Sequence, residues 1–147
     1  MITVFDVANY ILQKLGKCTP MKLQKLTYYS QAWALAWDDE PLFDEDFQAW
    51  ANGPVCAELF REHEGHFRLP SGFFDSKAKE SLSNEQIETI DIVLKDYSPM
   101  RPHELSDLSH REYPWQQARR NIPAGMPCDN IIEKEIIRDY YAGVMPD

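Results

Sequence analysis

The 147-residue chain has no apolar run longer than six residues, Ala32 to Trp37. A bilayer-spanning helix needs about 20, so no membrane segment is expected. Glycines number six, and none falls in a GxGxxG or GxxxxGK pattern, so no phosphate-cradling loop is present. Cysteines number three (Cys18, Cys56, Cys128), an odd and widely spaced set that suits free thiols in a reducing cytoplasm better than a disulfide framework. Bases are scarce: 15 against 24 acids, a formal charge of −9. That balance repels phosphate backbones, and no basic recognition helix is evident, which disfavours a duplex reader or a DNA-binding autorepressor. The N-terminus carries Asp6 and no basic leader, so no secretory signal is expected and the localisation reads as cytoplasmic. Repeats and low-complexity stretches are absent as well. What is there is a 44% hydrophobic, 12% aromatic composition, too rich for a disordered acidic tail.

Periodicity then predicts the elements. Val4, Val7, Ala8, Ile11, Leu12 and Leu15 form one helical face, with Thr3 and Asp6 as a capping box and Gly16 as the stop. Thr19 and Pro20 open a second helix running to about Trp37. Its bulky residues, including Met21, Leu23, Leu26, Tyr28, Tyr29, Trp33 and Leu35, surround most of its circumference, so it reads as the central helix, with Lys22, Gln24 and Lys25 as a polar edge. A brief extended stretch fits residues 42–47. Pro54 opens a helix through Leu59 and Phe60 to Glu64, and Phe73-Phe74 pins an irregular loop to the core. Ser83 and Gln86 cap a helix carrying Ile87, Ile90, Val93, Leu94 and Tyr97. Short helices follow at 102–109 and 114–120, and a last one begins near Asp129 or Asn130 with Ile132, Ile136 and Tyr140 on one face. The expected fold is mainly α: a compact single-domain helical bundle (1–147) around the 20–37 helix, with irregular loops and a short extended segment.

Two clusters invite chemistry. Cys56, His63 and His66 lie within eleven residues and offer metal ligands, although Gly65 spoils the helical HExxH spacing and the alternative is a solvated helix end. His110 with Asp107 and Glu112 offers an acid/base pair, and Ser106 and Ser109 offer hydroxyls, but no nucleophile elbow accompanies them. Arg119-Arg120 reads as a solvent-facing helix end. Charge is more informative. From Leu26 to Phe60 there is no Lys or Arg, while Asp38, Asp39, Glu40, Asp44, Glu45, Asp46 and Glu58 alternate with Trp33, Trp37, Phe43, Phe47 and Trp50. Acids around aromatic anchors suit a surface that docks a basic partner. The alternative is a solvated acidic loop whose aromatics all point inward.

The stretch from Met21 to Trp33, with Lys22, Leu23, Lys25, Leu26, Tyr28, Tyr29 and Trp33, resembles the signature of the Panacea-domain antitoxins, the SocA-like and phage-associated GepA-like family. Asp6 to Leu12 resembles the family's opening helix. Pro41-Leu42-Phe43, the block from Gln48 through Trp50 to Gly53-Pro54-Val55, and Leu105, Leu108-Ser109-His110 and Pro114-Trp115 follow in the family's order. Ser109 stands where the family commonly has Thr, which keeps the hydroxyl. The resemblance implies an antitoxin of a two-gene toxin–antitoxin system that neutralises a protein toxin by direct binding, with no catalysis and no cofactor. One member type also acts as a proteolytic adaptor. Within this frame the motif residues hold the scaffold, Lys22 and Lys25 pairing with acids of the following loop and Trp115 filling a pocket. The toxin, expected to bear a basic contact surface, docks on Trp37, Asp38, Asp39, Glu40, Asp44, Glu45, Asp46 and Trp50. A metal- or acid/base-dependent hydrolase using His63, His66 or His110 is the competing reading.

Overall fold

A computed structural model describes residues 1–144. In chain order the elements are α1 (Val4–Leu15), β1 (Lys17–Cys18), α2 (Pro20–Asp38), β2 (Phe47–Trp50), β3 (Gly53–Val55), α3 (Ala57–His63), β4 (Leu69–Pro70), α4 (Asn84–Tyr97), α5 (Pro102–His110), α6 (Tyr113–Arg119), β5 (Ile131–Ile132) and α7 (Lys134–Tyr141). The protein is mainly helical, with two small antiparallel sheets: β1 against β4, and β3-β2-β5 with β2 in the middle.

Helix α1 begins where its sequence says it should. Thr3 accepts from Phe5 N–H, and Asp6 accepts from Thr3 N–H at 2.7 Å. Asp6 also reaches outward, its second oxygen taking the N–H groups of Lys79 and Glu80 at 2.8 and 3.1 Å. One capping carboxylate thus pins the loop that follows Phe74, itself buried in the core. Ser83 and Gln86 cap α4 reciprocally in the same way.

Helix α2 is the spine: α1, α4, α5, α7 and β3 all pack on it. A helix covered from so many sides buries its polar residues too, and each must find a partner. Thr27 and Ser30 return their hydroxyl protons to the carbonyls of Leu23 and Leu26 one turn back. Gln31 clamps the next loop, donating to Phe43 O at 2.8 Å and accepting from Leu42 N at 2.7 Å. On its far flank Tyr29 stacks on Tyr97 of α4, with centroids 4.2 Å apart and planes 9° from parallel.

Three expectations are corrected. Residues 53–55 do not open a helix: they pair as β3 with β2, Gln48 opposite Val55, and α3 starts only at Ala57. The positive φ of Gly53 (114°) bars helix there, and Pro54 is tolerated because β3 is an edge strand. The last helix starts at Lys134, because Ile131–Ile132 pairs with Phe47–Gln48 as β5. Its buried face is accordingly Ile137 and Tyr141, one position along from Ile136 and Tyr140. The supposed polar edge of α2 is not an edge: Gln24 and Lys25 are 2% and 1% exposed.

Candidate functional site

The first turns of α2, the β2–β3 hairpin, α3 and the 127–129 loop enclose a cleft of about 760 Å³. Helix α2 contributes Pro20, Met21, Gln24 and Lys25, and the hairpin contributes Trp50, Ala51, Asn52 and Val55. Helix α3 adds Phe60 and His63, and the loop adds Pro127 to Asp129. Strand alternation explains the hairpin's share: Phe47 and Ala49 face the core, which turns Trp50 to the other side, edge-on to Phe60 at 4.9 Å. The lining is mostly apolar; its polar side chains are Gln24, Lys25 and His63 of the two helices, with Asn52 of the hairpin and Asp129 of the loop.

Gln24 organises that polar part. Cys56 N–H can only donate, so the oxygen 2.8 Å away is the amide oxygen of Gln24, and the amide NH₂ must face the other way. It donates to Cys56 O at 3.2 Å and meets His63 Nε2 at 3.0 Å. His63 Nε2 is therefore an acceptor, and the ring is neutral with its proton on Nδ1. Burial acts in the same direction, lowering the His63 pKa. Gln24 and Gln31 lie two turns apart on one face of α2, and each clamps a backbone segment arriving from the following hairpin region.

Lys25 is the other buried polar group. Its ammonium donates to Pro54 O at 3.1 Å, and burial pushes its pKa down to about 7. Its stem crosses Gly53 so closely that a Cβ there would sit 2.6 Å from Lys25 Cε and 2.8 Å from Ser109 Oγ. Gly53 is needed both for its φ and for this crossing. Lys25, the Gly53-Pro54 pair and Ser109, distant in the sequence, meet as one unit. The expected pairing of the α2 lysines with loop acids is thus corrected: Lys22 Nζ donates to Ser98 O, and Lys25 to Pro54 O.

Neither chemical cluster assembles. His63 is engaged by Gln24, His66 lies edge-on to Phe73 at 5.0 Å, and Cys56 Sγ faces Glu58 at 3.6 Å. No group of three His, Cys, Asp or Glu among the described residues is placed to hold a metal. His110 stacks on Trp115 at 4.2 Å, whereas Glu112 turns away to accept from Tyr29 and Tyr141, both at 2.7 Å. Burial raises the Glu112 pKa and lowers that of His110. Ser106 and Ser109 donate to Asn52 O and Ser106 O. Trp115 does fill a pocket, its indole N–H bonding Trp50 O at 2.9 Å.

The acidic stretch divides. Trp37 is 49% exposed and packs on Trp33 at 5.2 Å; Asp38, Asp39 and Glu40, which follow it, and Asp44 are exposed. Phe43 and Phe47 point into the core, and Trp50 belongs to the cleft. Glu45 accepts from Val4 N–H, and Asp46 pairs with Lys134 at 2.7 Å. Asp39 pairs with Arg138 at 3.3 Å. The bases missing from 26–60 in sequence are supplied in space by α7, one turn apart on that helix.

The pattern also concealed Arg119. Expected in solvent, it is 2% exposed and donates to the carbonyls of Ala49, Pro123 and Met126, with its guanidinium over the Trp115 ring at 4.9 Å. Arg120 is the exposed member of the pair. By holding Ala49 and the 123–126 turn, Arg119 fixes β2 against the loop that closes the cleft. No sequence signal separates it from a surface arginine.

Fold and cleft together define a class: a mainly helical protein whose central helix supplies the polar floor of an otherwise apolar cleft. The chain belongs to the family described as antitoxin SocA-like, Panacea domain, which residues 23–116 match, nearly two thirds of the chain. No curated protein and no solved structure matches it. The matched span holds α2 from Leu23 onward, the β2–β3 hairpin, α3 and α5, and therefore most of the cleft.

Proposed function

We propose that this protein is the antitoxin of a toxin–antitoxin pair, neutralising a cognate protein toxin in the cytoplasm by direct contact and performing no catalysis of its own. Membership of the antitoxin family supports the class. The observation that carries the contact surface is the C-terminal end of α2. There Trp37 is half exposed on a Trp33 base, and the exposed Asp38 and Glu40 that follow it in the chain have no ion-pair partner among the described residues, nor does the Asp44 carboxylate, although its carbonyl accepts from Lys134. A large half-exposed ring followed by unpaired acids offers an anchor and a steering field to a basic surface. Glu45, Asp46 and Trp50 are engaged within the fold and serve the surface only indirectly.

The test is co-expression with the product of the adjacent gene, which should arrest growth when expressed alone. Replacing Asp38, Glu40 and Asp44 together by Lys should abolish rescue and slow low-salt association by at least tenfold, with the thermal midpoint kept near wild type. Trp37→Ala should weaken the complex by about 2 kcal/mol or more. Rescue that survives both sets of changes places the contact elsewhere. A neighbour that is harmless alone removes the antitoxin reading itself.

A further inference from the structure

The cleft contains a lysine with no ion-pair partner among the described residues. Lys25 lies in its wall, 1% exposed, and among the described residues its ammonium has one acceptor, the Pro54 carbonyl, for three N–H donors. No ion pair among the described residues involves it, in a chain rich in acids. A buried ammonium left this way is costly unless something brings it a partner. The fold makes room for it at a price elsewhere, since Gly53 must stay bare for the lysine stem to pass. Around it the walls are hydrocarbon and ring: Met21, Trp50, Val55 and Phe60. A concave space of about 760 Å³ with apolar walls and few polar groups has the anatomy of a small-molecule site.

We infer that the cleft binds an apolar monocarboxylic acid, an aryl or alkyl carboxylate whose oxygens take the free donors of Lys25 while its hydrocarbon lies against Trp50, Phe60, Met21 and Val55. Inorganic anions and phosphate esters are excluded by the apolar walls, which would strip their hydration without replacing it. The acid rather than its amide or alcohol is selected because a charge-assisted hydrogen bond to an ammonium is stronger than a neutral one. With its pKa lowered to about 7 by burial, the Lys25 amine is poised so that an arriving carboxylate draws a proton onto it. The other titratable groups near it are His63 of α3 and His110 of α5, both of which feel its charge as a lowering of their own pKa, and Asp129 and Cys128 of the loop that lines the cleft. His63 is held neutral by Gln24, so Lys25 is the group of the cleft that takes up the proton. This site is separate from the acidic end of α2 and does not depend on the antitoxin reading.

The experiment is calorimetric titration of the full chain with 1-naphthoate and with 1-naphthamide, its neutral counterpart of the same shape. Naphthoate should bind at least tenfold more tightly at pH 7. Lys25→Met should erase that preference while leaving naphthamide binding in place. Should that variant not fold, the wild-type protein still answers: the ¹³Cε resonance of Lys25 should titrate at least one pH unit higher with saturating naphthoate and stay put with naphthamide. Equal affinities, absence of binding by either compound, or a Lys25 midpoint unmoved by naphthoate each overturn the inference. So does binding confined to a Phe-ended peptide with a free C-terminus, which would make the occupant another chain.

Discussion

Replacing Lys25 by Met should change how stability depends on pH, and the sign follows from the direction of the shift. The folded amine is lowered to about 7 from an ordinary 10.5. Between those values the unfolded chain holds a proton that the folded chain does not, so stability rises with pH by about 1.4 kcal/mol per unit. Below pH 7 both states are protonated and the slope vanishes. Stability linked to this group is therefore complete above the unfolded value and lost as pH falls to 7. Met has nearly the same length and no proton to lose, so its variant lacks the slope, although it leaves the Pro54 carbonyl unpaired at every pH. From pH 7 to 9 the wild type should gain roughly 2–3 kcal/mol relative to the variant, a relative shift of about 1–2 M in urea midpoint for ordinary m-values. The window stops at 9 because above it the unfolded lysine begins to lose its own proton and the slope fades; the thiols of Cys18 and Cys56, raised by burial to about 11 and 12, are common to both proteins and cancel. Urea curves at pH 6, 7, 8 and 9 decide the matter. Midpoints of the two proteins that run parallel from pH 7 to 9 would show that Lys25 keeps its proton or reaches water, and the reasoning fails.

Two further substitutions test the supports of the cleft. Gly53→Ala should destabilise by about 2–4 kcal/mol, since a side chain at φ 114° is strained and its Cβ would lie 2.6 Å from Lys25 Cε. Gly125→Ala, with positive φ but nothing within 4 Å, should cost only the backbone part, about 1–2 kcal/mol; equal losses in thermal melts would remove the crossing from the argument. Arg119→Met strips the donor from three carbonyls and should cost about 3 kcal/mol or more, with Arg119→Lys recovering little because a point charge cannot reach three diverging acceptors. Full recovery by Lys in chemical denaturation would mean that charge, not geometry, is what the site uses.

How far the sequence could be read depended on which rule was in force. Thr3–Asp6, Thr19–Pro20 and Ser83–Gln86 announced three helix starts because a cap is a local event, complete within four residues. The role of α2 was legible from its all-round bulk. The strands were not, because β2, β3 and β5 are two to four residues long and acquire their identity only from pairing across the fold. The cleft failed to show for a different reason. Gln24, Lys25 and Arg119 are residue types that sit in water by default. They are buried here because backbone carbonyls or N–H groups from distant segments come to meet them. The acidic stretch misled in the opposite sense: it is free of bases in sequence, yet Lys134 and Arg138 of α7 reach it in space.

Both surfaces are built on one helix, which allows their independence to be tested. Along α2, Lys25 and Trp37 are twelve residues apart, about 18 Å at helical rise. Sites that far apart with no shared partner contribute additively, within about 0.5 kcal/mol. A toxin that docks only on the acidic end should therefore give a double-mutant cycle with no coupling between Trp37→Ala and Met21→Ala, the latter chosen because Met21 is 37% exposed at the cleft and its loss leaves the core intact. Adding naphthoate at saturation should likewise leave toxin affinity unchanged. A coupling energy above 1 kcal/mol, or competition by naphthoate, would mean that the toxin reaches across α2 into the cleft. The bare charge of Lys25 would then be part of toxin recognition and not a separate site.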